Sequence, residues 1–284
     1  LHPNGERPCG RPVRTGAGRQ PRLRSLRVAE ASSRLSRRTL GLAALGAAGL
    51  WFGGQKAASY LLPGFDFEPV AGVSGFRKLS FGGLSGGFDP FAGLSSQDQR
   101  PDLSSRVAEV RAAPRAALFP TTAAGSDRVQ IASFSDYNCP YCRVLTEILA
   151  EKQISQPERV QVSWHELPLL GPTSLAAARG ALAAARQGAY LDFHRRLMRT
   201  RFSATESYLR ALAESLRLDP DQLVLAAQST AVEGQILQSL AVARVFGMVG
   251  TPALVVGKTL VLGQISEARL DKLIRIERSD QRAA

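Results

Sequence analysis

The stretch FSDYNCPYCRVL, residues 134–145, places two cysteines three positions apart where a strand pattern gives way to a helix pattern. Residues 129–134 (VQIASF) read as a strand, and apolar residues recur at helical spacing from 144 to 149. A cysteine at such a junction lies beside the free N–H groups of the first helical turn, which favour a thiolate. Pro140 fits that turn because its missing N–H would have no partner there. The stretch therefore predicts a strand-to-helix turn with a reactive thiol pair.

The spacing of Cys139 and Cys142 leaves several kinds of site to weigh. A c-type haem site needs His directly after the second cysteine, and position 143 is Arg. A structural zinc site takes about four ligands, but the chain has no second cysteine pair and its three histidines show no paired spacing. We therefore expect no metal. Two inert core cysteines remain an alternative, which is weaker in an exported chain because disulfides persist outside the reducing cytosol.

Residues 1–56 predict a basic extension followed by an export signal. They carry 11 Lys/Arg against 2 Asp/Glu, so most of the net charge of +12 lies here. Arg37 and Arg38 precede an Ala/Gly/Leu-rich run that ends at Phe52, which resembles a twin-arginine (Tat) export signal. The run is short for a spanning helix, and an uncleaved membrane anchor is the alternative. We expect a periplasmic protein, with Val28 as a candidate translation start.

Residues 57–117 form a second region, rich in Gly, Pro and Ser, that predicts a linker or docking arm. Its repeated phenylalanines favour docking, since a free linker has no use for them. A short helix interrupted at Pro114 is expected near its end. Residues 57–284 carry 25 Lys/Arg and 22 Asp/Glu without a basic stripe, so nucleic-acid binding is not expected.

Residues 118–284 show the sharpest pattern of elements. The order is strand, helix, strand, a block of helices at about 174–246, two short strands as a hairpin, and a last helix from Ser266 to Arg278. An early strand–helix–strand unit makes its two strands parallel. We therefore predict an α/β sheet with an inserted all-helical subdomain.

A second motif, Gly250-Thr251-Pro252-Ala253, stands directly before the hairpin strands. FSDYNCPYC together with GMVGTPALVV resembles the thioredoxin-fold disulfide oxidoreductases of the Dsb type, the DsbA/DsbC/DsbG group. The resemblance covers about residues 118–278 and implies a thioredoxin fold with a helical insertion. Thr251, and Asp136 three positions before Cys139, lean towards the DsbC/DsbG pattern within that group.

The resemblance implies a role for each matching residue of the two motifs. Cys139 would be the exposed nucleophile and Cys142 the resolving thiol, with Pro140 and Tyr141 tuning the thiolate. Pro252 would be cis and would shape a groove in which a substrate strand pairs with the backbone.

Thr251 would border that groove. Asp136 is expected either as a cap near the helix start or as a buried carboxylate that assists proton transfer. Outside the motifs, His194 is expected on a helix surface and His165 near a strand end. The arginines between 195 and 201 are expected on a solvated face.

The sequence thus predicts an exported thiol-disulfide oxidoreductase that acts on cysteine-containing exported proteins, with the Cys139–Cys142 disulfide as its redox group and no cofactor. Residues 57–117 look too irregular for the dimerisation domain of an isomerase, which favours a monomeric oxidase of the DsbA type. A membrane redox partner of the DsbB or DsbD type is implied by the resemblance. A DsbC/DsbG-like isomerase or a reductase is the alternative.

A periplasmic Cu(I)-binding chaperone is the alternative from another class, since thiolates suit that ion. It gains nothing from Pro252, and no Met-rich or His-rich tract supports it.

Overall fold

The structure is a computed structural model that describes residues 64–81, 83–86, 102–120, 127–200 and 204–283. The expected export signal in residues 1–56 lies outside these residues. Within them, no helix combines the length and the apolar character that crossing a membrane requires.

The strands and helices of the described residues are short to medium in length. The strands are β1 Glu68–Pro69, β2 Arg77–Ser80, β3 Ser85–Gly86, β4 Val129–Ser135, β5 Val160–Glu166, β6 Gly250–Thr251, β7 Ala253–Val256 and β8 Thr259–Leu262. The helices are α1 Ser104–Ala112, α2 Pro114–Leu118, α3 Pro140–Ser155, α4 Pro172–Ala185, α5 Tyr190–Arg199, α6 Glu206–Ser215, α7 Pro220–Ala227, α8 Thr230–Phe246 and α9 Glu267–Ala283.

A mixed sheet in the order β1-β2-β8-β7-β4-β5 forms the centre of the fold. β4 and β5 are parallel and are joined through α3, whereas β7 runs antiparallel to both β4 and β8. The β7–β8 hairpin turns at Gly257, whose φ of 58° suits glycine. Every residue of β4 is buried, so the strand that leads to the cysteine pair is fixed on both faces.

Helices α4 to α8 follow β5 and precede β6, so the predicted α/β order with inserted helices is confirmed. Thr205, Asp219 and Ser229 cap α6, α7 and α8, and each side chain accepts a hydrogen bond from a backbone N–H of the first turn. Gly180 of α4 has no side chain to keep Leu209 and Phe193 away, which lets neighbouring helices approach.

The region expected to be a linker or docking arm contributes to the packed fold. β2 pairs with β8 in parallel along its whole length, and Leu79 of β2 is buried. α1 packs on α8 and buries Val110 completely. The expected start of the thioredoxin-like domain at residue 118 therefore omits part of the sheet and of the core. The reason is length, because strands of two to four residues are too short to show a period.

A buried carboxylate joins β2, the β7–β8 hairpin and α9. Glu277 accepts hydrogen bonds from Arg77 Nη2 at 2.6 Å, from Thr259 Oγ1 at 2.6 Å and from the Lys258 backbone N–H at 2.9 Å. Asp280, one turn further along α9, also pairs with Arg77 at 3.0 Å. Because Glu277 is 1% exposed, these partners have to replace its hydration.

Candidate active site

Cys139 lies at the junction of β4 and α3 and is itself the capping residue of that helix. Its Sγ accepts a hydrogen bond from the Cys142 backbone N–H at 3.4 Å. Pro140 occupies the first helical turn, as its fixed φ and missing N–H allow. The geometry places the Cys139 sulfur where the free N–H groups and the helix dipole stabilise negative charge.

The two thiols differ sharply in acidity. The side-chain hydrogen bond from Cys142, followed by one from Ser85, lowers the pKa of Cys139 from 9.0 to about 6, although burial opposes the shift. Burial, and then the interaction with Cys139, raise the pKa of Cys142 well above its ordinary value. Both cysteines are free thiols. At neutral pH the pair therefore holds one thiolate, on Cys139, next to one protonated thiol.

Thr251 and Pro252 lie directly against this pair, although they follow it by more than a hundred residues in the chain. Cys139 Sγ lies 3.4 Å from the Thr251 carbonyl oxygen, to which the protonated form of the thiol donates a hydrogen bond. The peptide bond between Thr251 and Pro252 is cis, and Thr251 is fully buried. The two sequence motifs thus meet at one site.

Cys139 itself is 0% exposed. Part of the covering comes from the chain's own β3, which pairs antiparallel with β6 so that Ser85 stands opposite Thr251. Tyr141 is half-buried beside it, and a Cβ placed on Gly83 would overlap the Tyr141 ring. The sequence predicts an exposed nucleophile, which is wrong for this conformation, because no local pattern indicates that a distant glycine-rich segment folds over it.

Asp136 is a fully buried carboxylate with four hydrogen-bond donors around it. Its Oδ1 accepts from the Asn138 N–H at 2.7 Å and from Ser174 Oγ at 2.6 Å. Its Oδ2 accepts from the backbone N–H groups of Leu169 and Leu170 at 2.7 and 2.8 Å. Burial raises the pKa of Asp136, and the four donors oppose that shift.

Cys139, and not Asp136, is the capping residue of α3. Asp136 instead fastens the turn before Cys139 to the loop after β5 and to the first turn of α4. Because all four hydrogen bonds of the Asp136 carboxylate join these segments, its role is to position the turn that carries Cys139.

A buried polar cluster next to the cysteine turn is absent from the sequence prediction. Glu166 Oε1 accepts hydrogen bonds from the hydroxyls of Tyr137 and Tyr190, each at 2.6 Å. His194 Nδ1 lies 2.7 Å from the Tyr137 hydroxyl, and its Nε2 lies 3.3 Å from Thr146 Oγ1. Burial raises the pKa values of both tyrosines well above their ordinary value, so both remain donors.

His194 is 1% exposed, so its predicted place on a helix surface is wrong. α5 turns Phe193, His194, Leu197 and Met198 inwards, and the arginines between them hide that stripe in the sequence. Their spacing of i, i+1, i+4 and i+5 places the four residues on one face of the helix, and it is the signal from which the burial of His194 follows.

His165 and two arginines of the 195–201 run have structural partners, whereas Arg201 lies outside the described residues. His165 Nε2 lies 2.9 Å from the Leu118 carbonyl oxygen, and its ring stacks on Phe134. Arg195 and Arg199 both pair with Glu147 at 2.8 Å and lower the pKa of that carboxylate to about 2. In the described part of the chain, His, Cys, Asp and Glu form no group of three or more that is suited to a metal ion.

Comparison with known proteins places this geometry in a family. The family model described as "DSBA-like thioredoxin domain" matches residues 130–275. A thioredoxin-like oxidoreductase from Silicibacter pomeroyi DSS-3 is similar in structure, with a TM-score of 0.54 and 34% identity over 58% of this chain and 98% of that one. The thiol-disulfide exchange protein alpha-DsbA2 from Wolbachia pipientis has a TM-score of 0.52 at 22% identity, over 64% of this chain and 99% of that one, and supports the fold alone.

A curated protein, the Na(+)/H(+) antiporter NhaA 3 of Salinispora tropica, is 30% identical over 126 residues, which are 44% of this chain and 19% of that one. The chain thus spans about a fifth of the length of that relative. The family match, in contrast, covers half of the chain, and the expected thioredoxin fold with inserted helices is confirmed. The protein belongs to the DSBA-like thioredoxin domain family, a family of thiol-disulfide oxidoreductases.

Proposed function

We propose that the protein is an exported thiol-disulfide oxidoreductase that exchanges disulfides with cysteine-containing periplasmic proteins through Cys139 and Cys142. The single observation that carries the proposal is the division of acidity within the pair. One thiol has a pKa of about 6 and the other a pKa well above its ordinary value, and the acidic one lies against the Thr251 carbonyl.

The chemistry follows from that division. In the oxidised protein, a client thiolate attacks Sγ of Cys139, a mixed disulfide forms, and Cys142 leaves as a thiolate that takes up a proton. A second client thiolate then attacks the client sulfur of the mixed disulfide and releases Cys139 as a thiolate. The client loses two electrons and the dithiol gains them. Cys139 is the better leaving group because thiols of lower pKa leave faster.

The oxidase direction is favoured by the same electrostatics. Hydrogen bonds that stabilise the Cys139 thiolate exist only in the reduced form, so they stabilise the dithiol relative to the disulfide and make the disulfide more oxidising. We propose a DsbA-type oxidase that acts as a monomer and is reoxidised by a membrane partner of the DsbB type. An isomerase or a reductase, the latter served by a DsbD-type partner, is the alternative direction.

Trapping of mixed disulfides tests the exchange reaction. Cys142→Ala removes the resolving thiol, so clients should stay attached to Cys139 as higher-mass species that a reductant dissolves. Cys139→Ala should abolish both trapping and turnover. Ser80→Ala, at an exposed position of β2, is the control and should behave like the unaltered protein. Normal turnover by the Cys139→Ala protein would overturn the proposal.

The reduction potential of the Cys139–Cys142 pair against glutathione tests the direction. A value nearer roughly −120 mV than roughly −270 mV supports an oxidase, since these are the potentials of DsbA and thioredoxin respectively. A value at the thioredoxin end assigns the protein to the reductases and leaves the exchange chemistry unchanged.

A further inference from the structure

A short segment from the N-terminal side of the sheet lies across the candidate active site. This segment, residues 83–86, will be called the cover segment. Its Ser85 and Gly86 pair antiparallel with Thr251 and Gly250. Its Gly83 carbonyl accepts a hydrogen bond from the Gln264 N–H at 2.9 Å. The cover segment is therefore an added strand on the backbone that precedes Pro252.

Ser85 also acts on the nucleophile directly. Ser85 stands opposite Thr251, whose carbonyl oxygen lies 3.4 Å from Cys139 Sγ. In agreement with that register, a side-chain hydrogen bond from Ser85 is, after the one from Cys142, among the causes that lower the pKa of Cys139. Serine and cysteine differ only in the oxygen or sulfur at the γ position. A polypeptide bound in the same register with cysteine in place of Ser85 would present its sulfur to Cys139.

We propose that the cover segment occupies the place of a client polypeptide, with Ser85 where the client's cysteine lies, so that a client must displace it to reach Cys139. This inference rests on the proposed exchange function. It implies that clients bind as extended strands antiparallel to β6, which is recognition by strand addition. Folded proteins whose cysteines are not in a free, extended stretch are then poor clients.

Contacts with Tyr141 add a preference for small residues. A Cβ on Gly83 would overlap the Tyr141 ring. The residue two places before the client's cysteine takes the position of Gly83, so glycine is favoured there unless the ring moves.

The glycine content of the cover segment favours its displacement by a client. In the sequence Gly82-Gly83-Leu84-Ser85-Gly86-Gly87, glycine pairs flank the central two residues. Glycine loses more conformational freedom on ordering than other residues. A glycine-rich strand is therefore bound less tightly than a strand of other residues that makes the same hydrogen bonds. A client of ordinary composition in the same register loses less backbone freedom, which offsets part of the translational and rotational freedom that a separate molecule loses on binding. The apparent affinity for a client is reduced by the fraction of molecules in which the segment is detached.

Steric displacement of the segment tests the proposal without any client. Gly83→Ala places a methyl group against Tyr141, whereas Gly64→Ala, the matched control, meets nothing within 4 Å. Reduced protein is treated with iodoacetamide at pH 8, where a thiol with a pKa of about 6 is ionised, and alkylation of Cys139 is followed by peptide mass. We expect Gly83→Ala to react at least about fivefold faster than the Gly64→Ala and unaltered proteins, because reactivity follows the detached fraction. Equal rates in all three proteins would overturn the proposal.

Client oxidation gives a second measurement on the same pair of variants. The client is a fluorescent peptide with two cysteines in an extended sequence and glycine two places before the first, and oxidised glutathione serves as the terminal oxidant that restores the Cys139–Cys142 disulfide. Gly83→Ala should lower KM for this peptide by a factor similar to the gain in alkylation and leave kcat unchanged. If the unaltered protein oxidises no client, the proposed function fails, while the alkylation comparison still decides the role of the segment. Faster alkylation without a lower KM would show that clients bind elsewhere and would overturn the client mimicry.

A cross-link tests the register independently of any effect on folding. In Ser85→Cys protein oxidised at Cys139–Cys142, the introduced thiolate should attack Sγ of Cys139, form a disulfide between positions 85 and 139, and release the Cys142 thiolate. No further oxidant is needed, because one disulfide replaces another. Ser80→Cys, on an exposed position of β2, is the matched control and should form no such link. A Ser85→Cys protein that keeps the Cys139–Cys142 disulfide and shows no 85–139 peptide contradicts the proposed register.

Discussion

At the scale of single residues, the cysteine pair shows how position alone separates two identical side chains. Cys139 stands at the start of a helix, where the Cys142 thiol and the Cys142 backbone N–H donate to it. Cys142 lies one turn inside, where burial is the main effect on its pKa. No neighbouring cation is among the causes of either shift; side-chain hydrogen bonds, chiefly from Cys142, account for the lowered pKa of Cys139, and burial accounts for the raised pKa of Cys142.

The pH dependence of the reduction potential should report this division. Below pH 6 the reduced pair holds two protons, whereas above pH 6, the approximate pKa of Cys139, it holds one. Each proton that accompanies the two electrons contributes about 30 mV per pH unit. We expect the slope to fall from about 60 to about 30 mV per pH unit near pH 6, measured against glutathione between pH 4.5 and 8. A constant slope over that range would contradict the lowered pKa.

Asp136 offers a second prediction at this scale. Asp136→Asn turns an amide NH2 towards groups that are themselves donors, so at least one buried donor loses its acceptor. We expect the free energy of unfolding in urea to fall by about 2 kcal/mol. Asp66→Asn, at an exposed position, is the control and should leave the urea midpoint unchanged. A midpoint for Asp136→Asn equal to that of the control would show that the four contacts contribute nothing net.

At the scale of elements, the sequence predicts what is long and periodic. The strand predicted at residues 129–134 corresponds to β4, and the block of helices predicted at about 174–246 corresponds to α4–α8, because these segments extend over enough residues to show their period. β1, β2 and β3 have two to four residues, and their partners are far away in the chain. Their pairing depends on tertiary contacts that no local pattern encodes.

The residues of the candidate site likewise fall into those that the sequence predicts and those that only the structure shows. Cys139, Cys142, Thr251 and Pro252 belong to short contiguous motifs, so the sequence alone identifies them. Three of the four donors to Asp136 are backbone N–H groups, which any residue type except proline would supply, and the fourth is the Ser174 hydroxyl.

The carboxylate of Glu277 gives a prediction about how elements are joined. Glu277→Ala leaves Thr259 Oγ1 and the Lys258 N–H without their acceptor and leaves Arg77 without its buried partner. We expect the free energy of unfolding to fall by about 3 kcal/mol, as when one member of a buried ion pair is removed. Glu109→Ala, at an exposed helix position, is the control, expected within about 0.5 kcal/mol of the unaltered protein. A loss for Glu277→Ala no larger than that of the control would show that β2 and α9 are held by apolar contacts alone.

At the scale of the whole molecule, the region before residue 118 contributes to the packed core. Val70 and Val73 pack in the same apolar cluster as Phe134 of β4, together with residues of α8. Leu79 packs in the cluster that lines the α3 and α9 face of the sheet. Because the described part of residues 57–117 reaches both clusters, we infer that it folds together with the sheet as one cooperative unit.

Truncation tests that inference. A chain beginning at residue 118 lacks Val70, Val73, Leu79 and Val110, each 6% exposed or less, whereas a chain beginning at residue 57 keeps them. Burial of a valine or leucine side chain stabilises by about 1.5–3 kcal/mol, less what a compact unfolded chain already buries. We therefore expect the shorter chain to lose at least about 4 kcal/mol in the free energy of unfolding by urea relative to the longer one, with a smaller m-value because less surface is exposed.

Both chains lack residues 1–56, so the comparison isolates residues 57–117. Equal midpoints and m-values would mean that β1, β2 and α1 rest on an independently stable domain, and that residue 118 is the true start of the folding unit.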